Sequence, residues 1–212
     1  MSIIRLSAAD AKSTKMDDLV KIYTEAITPS EQKSRADLEG MLSDANYYFY
    51  IFVPERSTLG FAIVYAPENS EYCLLEYMAV ESGGRSRGYG GKLFNSLTEA
   101  FNKRSMVIEV ESPYQPSEDH EIRVKRIVFY SRNGSLRVEH LKYILPLEAQ
   151  GEPPEMLILL HSNIYKDFVP KYKLMSWIKD IYIKVYGCNA SDKRLSTMEA
   201  PLPDKVLLIE GV

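Results

Sequence analysis

The sequence feature that most constrains the fold is a buried strand followed directly by a glycine-rich loop and a helix. The run 72-YCLLEYMAV-80 is almost continuously apolar, which is typical of a strand buried on both faces. After the loop 84-GRSRGYGGKLF-94, an amphipathic helix is predicted to about Lys103, and the run 106-MVIEVES-112 is again a strand. This order favours one parallel strand pair joined by a right-handed crossover.

The elements around this unit predict a mixed α/β domain. The expected elements are helices at 16–27, 30–43 and 117–132 and strands at 47–53, 59–66, 136–145 and 155–161. Ser30 is the expected cap of the second helix. Strands that follow each other without a helix favour antiparallel pairing, so the sheet is predicted to be mostly antiparallel.

The glycine-rich loop has the chemistry of an anion site. Glycine allows positive φ angles and lets a ligand approach the backbone closely. The first turn of a helix leaves N–H groups without partners, and the helix dipole adds partial positive charge there. Arg85, Arg87 and Lys92 add further charge, so the loop is predicted to bind phosphate.

Two common phosphate-binding motifs do not match this loop. The Walker A motif would need glycine in place of Ser86 and a serine or threonine in place of Leu93. The dinucleotide fingerprint fails because 88-GYGGKL-93 ends in leucine, and no early parallel βαβ unit surrounds it. Neither class of nucleotide site is therefore favoured.

A third pattern, that of acyl-coenzyme A binding, fits better. Arg85-x-x-Gly88-x-Gly90, placed between a buried strand and an amphipathic helix, resembles the pyrophosphate loop of the GNAT N-acetyltransferase superfamily. Downstream, 126-RIVFYSRNG-134 resembles the later motif of that family, in which a helix carries a tyrosine (here Tyr130) four residues before a glycine. The element order matches the family over about residues 1–161.

The resemblance implies a fold and a co-substrate. The fold would be a central mixed, mostly antiparallel sheet with one splayed parallel strand pair, flanked by helices. Acetyl-CoA would lie between the strands at 72–80 and 106–112, and no metal is implied. The residues implied to bind acetyl-CoA are Met78, Ala79 and Val80, through their backbones, and Arg85, Arg87, Gly88, Tyr89, Gly90, Gly91 and Lys92.

The resemblance also implies a reaction, in which the acetyl group passes directly to a primary amine within a ternary complex. The amine must lose a proton, and the departing thiolate must gain one. Tyr130 stands at the family position of the acid. Glu76 is the candidate base, because it lies in an apolar strand with Leu74, Met78 and Val80 as alternation partners; a structural carboxylate paired with an arginine is the alternative.

Two positions depart from the family pattern. The usual asparagine is absent around Arg123, and Ser135 replaces the usual aromatic residue after Gly134. These departures keep a second function open, namely a non-catalytic acyl-CoA sensor or interaction module on the same fold. Glu109 and Glu111 are interpreted either as charges on a solvated strand face or as the lining of a site for a cationic amine.

Residues 162–212 form an extension beyond the predicted acetyltransferase domain at 1–161. The extension contains an aromatic-rich helix at 171–187 and a candidate edge strand at 205–211. We expect this helix to pack on the sheet of the same domain. A wall of the acceptor site or a homodimer contact are the alternatives.

Composition excludes several classes of partner. The formal net charge of −3 provides no global basic field for nucleic acid, and no apolar run is long enough to cross a membrane. Two distant cysteines and the lack of a secretory signal favour a cytoplasmic protein with reduced thiols. The three histidines have no metal-ligand spacing. The expected partner is therefore a small-molecule or peptidic amine.

Overall fold

The computed structural model describes residues 2–54, 57–84, 87–146 and 155–211. The chain divides into two compact units, Met1–Phe101 and Asn102–Val212. Each unit combines antiparallel strands with helices, which confirms the predicted mixed α/β class with mostly antiparallel pairing. The boundary expected between residues 161 and 162 stays a prediction. In the part of the chain that is described, no helix has the length and apolar character needed to cross a membrane.

The first unit is a four-stranded antiparallel sheet with three helices. Its elements are β1 (Ser2–Arg5), α1 (Thr14–Ala26), α2 (Arg35–Ser43), β2 (Tyr47–Val53), β3 (Gly60–Tyr65), β4 (Tyr72–Val80) and α3 (Tyr89–Ala100). The strands lie in the order β1-β2-β3-β4. β3 is buried along its whole length, as its apolar sequence requires.

Local sequence explains where the first two helices begin. The side chain of Ser13 accepts a hydrogen bond from the N–H of Met16 and caps α1. α2 begins at Arg35 because Ser34 and Asp37 form a capping box. The expected start at Ser30 is therefore wrong, since Pro29–Glu31 forms a short 3₁₀ turn instead.

The second unit is a five-stranded antiparallel sheet with three helices. Its elements are β5 (Ser105–Glu111), α4 (His120–Arg132), β6 (Leu136–Val138), β7 (Met156–His161), β8 (Phe168–Pro170), α5 (Lys171–Lys184), α6 (Lys193–Glu199) and β9 (Lys205–Ile209). The strands lie in the order β5-β7-β6-β9-β8. The aromatic-rich helix α5 buries Leu174, Trp177, Ile178 and Ile181.

Two strand predictions in this unit need correction. The strand expected at 136–145 is only three residues long, because the chain turns at His140, whose φ is +61°. β9 is not an edge strand, because it pairs with β6 on one side and with β8 on the other. The short elements β1, β8 and α6 had no clear sequence signal.

Candidate active site

Two glycines, Gly84 and Gly88, lie at turns between β4 and α3. A 3₁₀ turn at Ser82–Gly84 follows β4, and Gly88 stands at the N-cap of α3 with φ of +74°. A Cβ placed on Gly88 would meet no heavy atom within 4 Å. Glycine is therefore favoured there by its backbone conformation rather than by lack of space. Arg85, which the sequence assigns to this loop, lies outside the described residues.

The start of α3 presents backbone N–H groups without a side-chain cap. The N–H of Lys92 donates to the carbonyl of Gly88 at 3.2 Å, which is the first bond of the helix. The N–H groups of Tyr89, Gly90 and Gly91 precede this bond and have no acceptor inside the helix. An anion at the N-terminal end of α3 would therefore meet several aligned donors.

The charge around this helix start is positive among the described residues. The first turn of α3 contains no acidic residue. Arg87 and Lys92 are exposed, and the ammonium of Lys92 lies 5.8 Å from the ring centroid of Tyr89. Both cations can therefore turn towards a phosphate without leaving a buried partner. Their contact with coenzyme A stays a prediction.

A β-bulge interrupts β4 at Glu76. The consecutive residues Ile63 and Val64 of β3 lie opposite Tyr77 and Leu75, so Glu76 is the extra residue of β4. A bulge bends its strand and re-aims the side chain that it carries. The simple alternation counted from the start of β4 therefore does not hold across Glu76, and its orientation could not be obtained from the sequence.

The carboxylate of Glu76 is buried and ion-paired. Its side chain is 6% exposed, and its Oε1 atom lies 3.6 Å from the Nζ atom of Lys33. The hydroxyl of Tyr47 on β2 also forms a hydrogen bond with this carboxylate. The ionic partner seen in the structure is thus a lysine from the α1–α2 connection, whereas the sequence alternative named an arginine.

The last residues of β4 are held tightly against β3. Residues 78–80 lie opposite residues 60–62 in the antiparallel ladder. A Cβ placed on Gly60 would lie only 2.9 Å from the carbonyl oxygen of Ala79. The absence of a side chain at Gly60 therefore sets how closely the backbone at Ala79 approaches β3.

Tyr130 is buried on α4 in the second unit. Its side chain is 8% exposed, and its ring centroid lies 5.0 Å from that of Phe129. Burial raises the pKa of Tyr130 to about 12, and the positive charge of Arg126 opposes this shift. The hydroxyl therefore carries its proton at neutral pH, which an acid catalyst requires.

Arg123, near the start of α4, is buried and ion-paired. One of its guanidinium nitrogens donates to the carbonyl of Ser112 at 3.3 Å, and another lies 3.2 Å from the carboxylate of Glu111. Arg126 lies 3.7 Å from the same carboxylate. Ser135 is buried as well. Glu111 is thus ion-paired with two arginines, and 25% of its side chain is exposed.

Glu109 lies in a cluster of tyrosines. Its carboxylate accepts hydrogen bonds from the hydroxyls of Tyr143 and Tyr186, and Tyr186 follows the end of α5. Burial raises the pKa of Glu109, and the two hydrogen bonds oppose that shift. The interpretation of Glu109 as a solvated strand-face charge is therefore wrong. The hydrogen bond to Tyr186 ties the segment after α5 to β5.

Most of the predicted site residues are neighbours in sequence and belong to the first unit. Glu76, residues 78–80 and the start of α3 follow one another along the first unit, whereas Tyr130 belongs to the second unit. Sequence reasoning missed Lys33 and Tyr47 because both reach Glu76 from distant parts of the chain. Among the described residues, no group of three or more His, Cys, Asp or Glu side chains is arranged to hold a metal ion.

Comparisons by sequence and by structure both lead to proteins that are named as acetyltransferases. No family model matches the chain. A Bacillus subtilis protein, YjbC, provisionally named as an acetyltransferase, is 27% identical over 132 residues, which are 62% of this chain. The match spans only 64% of the length of YjbC.

Among solved structures, a Bacteroides thetaiotaomicron protein provisionally assigned to the GNAT acetyltransferases superposes with a TM-score of 0.71. It is 24% identical, and the alignment covers 89% of this chain and all of the other. An aminoglycoside 6'-N-acetyltransferase, complexed with coenzyme A, superposes with a TM-score of 0.56 at 17% identity, over 78% of this chain and 99% of the other. The predicted resemblance is thus confirmed at the level of the fold.

Proposed function

We propose that this chain, which has the fold of the GNAT acetyltransferases, transfers an acetyl group from acetyl-CoA to a primary amine. The observation that carries the proposal is that one unit contains both the Glu76 bulge and the uncapped start of α3. The bulge carries a buried carboxylate, and the helix start has the donors that an anion would need. The coenzyme A complex of a protein with the same fold supports acetyl-CoA as the donor.

The described residues fit a coenzyme A molecule in two ways. The N–H groups at the start of α3 would bind the pyrophosphate, with Arg87 and Lys92 adding positive charge. The backbone of residues 78–80 would pair with the amides of the pantetheine arm, as an added strand does. When bound, acetyl-CoA supplies the thioester that makes its acetyl carbon open to attack by an amine.

Glu76 acts as the base in this proposal. An alkyl amine is mostly protonated at neutral pH and must lose a proton before it can attack. Glu76 can accept that proton, since it is already within ion-pairing distance of one ammonium group, that of Lys33. In this proposal an acceptor amine would approach the carboxylate as the ammonium of Lys33 does.

Tyr130 acts as the acid. Its buried hydroxyl is neutral at pH 7 and can give a proton to a departing thiolate. The acceptor is a small-molecule or peptidic amine.

Binding of acetyl-CoA is the first test. We expect acetyl-CoA to raise the melting temperature, because a ligand at about 100 times its Kd stabilises the folded state by roughly 2.7 kcal/mol. The double variant Arg87→Glu/Lys92→Glu should melt like the wild type without ligand but show a much smaller shift with it. Lys12→Glu, at a lysine whose side chain is 80% exposed, is the charge-reversal control. Lack of a shift with every acyl-CoA tested would contradict the proposal.

A non-catalytic acyl-CoA sensor is the second candidate. It is favoured by the absence of the family's usual asparagine around Arg123, since Arg123 itself is engaged with Glu111 and Ser112. Release of CoA in the presence of a panel of primary amines separates the two functions. Release that disappears in Glu76→Gln supports the enzyme, whereas a ligand-induced shift without release from any amine supports the sensor.

A further inference from the structure

The connection between α1 and α2 is fastened to the end of α1 by specific hydrogen bonds. The side-chain amide of Gln32 donates to the carbonyls of Thr24 at 2.9 Å and Ile27 at 2.7 Å. The N–H of Lys33 donates to the hydroxyl of Tyr23 at 2.8 Å. Lys33 is therefore presented to β4 from a backbone that is held in place, unlike a lysine on an open surface.

The side chain of Lys33 ends beside the buried carboxylate of Glu76. The two charged groups are 3.6 Å apart, and 32% of the Lys33 side chain remains exposed. A lysine arm has four methylene groups and rotates freely, so its nitrogen can move by several ångströms while the backbone stays fixed. An ammonium on such an arm, next to the proposed base, has the chemical features of an acceptor amine.

We propose that Lys33 is a self-acetylation site of this protein. The proposal rests on the proposed function, since it uses the same donor and the same base. Self-acetylation at Lys33 also implies that the acceptor site suits a lysine-like amine on an aliphatic arm. An external acceptor must then displace Lys33 from Glu76, and acetylation of Lys33 removes the charge that competes for this carboxylate.

The reaction balances with acetyl-CoA as the only co-reactant. Glu76 takes one proton from the Lys33 ammonium, and the resulting amine attacks the acetyl carbon. A nitrogen–carbon bond forms and the carbon–sulfur bond breaks. The nitrogen loses its second proton, and the sulfur leaves as a thiolate that gains one. The products are N-acetylated Lys33, CoA with its thiol, and one released proton.

Two other ion-paired lysines provide an internal comparison. Lys12 pairs with Glu39 and its side chain is 80% exposed, while Lys21 pairs with Glu81 and its side chain is 65% exposed. Acetyl-CoA that reacts without catalysis should modify such exposed lysines before Lys33. Faster modification of Lys33 would therefore reverse the order that exposure predicts.

The experiment follows acetylation site by site. The purified protein is incubated with acetyl-CoA and no acceptor, and peptides are quantified over time by mass spectrometry. We expect Lys33 to be acetylated first, with a rate constant that does not depend on protein concentration. Because general-base catalysis contributes about 10²- to 10⁴-fold, Glu76→Gln should slow this labelling by roughly 100-fold or more.

Variants distinguish self-acetylation from other routes. Lys33→Arg should lose the label, and Lys21→Arg should leave labelling of Lys33 unchanged. In a mixture, mass-tagged Glu76→Gln protein should stay unlabelled while the wild type is modified, because the reaction is intramolecular. Labelling of Lys33 that is no faster than that of Lys12 and Lys21, or that persists in Glu76→Gln, would overturn the proposal.

The result is separable from the proposed function. An unmodified Lys33 in a protein that is stabilised by acetyl-CoA and releases CoA with external amines refutes self-acetylation alone. A protein that acetyl-CoA does not stabilise refutes both.

Discussion

At the scale of single residues, burial affects the two side chains that are proposed to transfer protons, Glu76 and Tyr130. Glu76 is buried beside Lys33, whose side chain is 32% exposed, so a carboxylate and a cation lie within reach of each other. Tyr130 is buried on α4 and its hydroxyl is protonated at neutral pH, while burial raises its pKa to about 12 and so makes it a weaker acid than an exposed tyrosine. One residue is thus suited to accept a proton and the other to donate one.

The acid role of Tyr130 predicts a selective defect. Tyr130→Phe removes the hydroxyl and keeps the ring, so turnover with an active amine should fall about 100-fold. The stabilisation by acetyl-CoA should stay the same, as measured by thermal unfolding with and without the ligand. Tyr172→Phe, at an exposed tyrosine of α5, is the matched control and should keep full turnover. Full turnover of Tyr130→Phe would remove the acid assignment.

Glu109 predicts a pH dependence of stability. Its folded-state pKa is raised, so the folded protein holds this proton more tightly than the unfolded chain, whose glutamates titrate near about 4.3. The stabilising contribution is fully present below that pH and is lost as the pH rises through the raised folded-state pKa.

Glu109→Gln removes this titration. The difference in the free energy of unfolding, wild type minus variant, should therefore decrease as the pH is raised from 4 towards neutral in urea unfolding series. The exposed substitution Glu121→Gln should show no such trend, since its side chain is 84% exposed. A difference that is constant with pH would show that burial does not perturb Glu109.

At the scale of elements, close backbone approach fixes the end of β4. Gly60 lets the carbonyl of Ala79 lie where a side chain would otherwise stand, and Leu93 of α3 packs close to the same point. β3, β4 and α3 therefore meet at one glycine. The geometry of residues 78–80, which are proposed to bind pantetheine, depends on this contact.

Gly60→Ala tests this contact. The added methyl group would lie 2.9 Å from the carbonyl oxygen of Ala79, so we expect overpacking to destabilise the fold by about 1–3 kcal/mol. Gly40→Ala is the matched control, because no heavy atom lies within 4 Å of a Cβ placed there, in the exposed interior of α2. That change should stabilise the protein by about 0.5–1 kcal/mol. Chemical denaturation measures both, and a neutral Gly60→Ala would show that the strands can move apart.

Elements with a continuous local signal could be predicted closely. β4 has the predicted bounds because nine consecutive strand-forming residues end at a turn-forming segment. α2 was placed about five residues too early, since two serines could cap it and only Ser34 has an aspartate three residues later. The predicted β6 is too long, because the residue with a positive φ at this turn is His140 and not a glycine, which would have predicted the turn.

At the scale of the whole molecule, the sequence by itself determined the fold class and the order of the main elements, and it predicts an anion site in the loop before α3. These properties follow from local patterns of apolar residues, glycines and charge. Only the tertiary structure decided that Glu76 sits on a bulge beside Lys33, and that Glu109 accepts hydrogen bonds from two tyrosines. Such contacts join residues that are more than thirty positions apart in the chain, as the bonds of Glu109 to Tyr143 and Tyr186 do. They depend on how strands and helices pack, which no local pattern encodes.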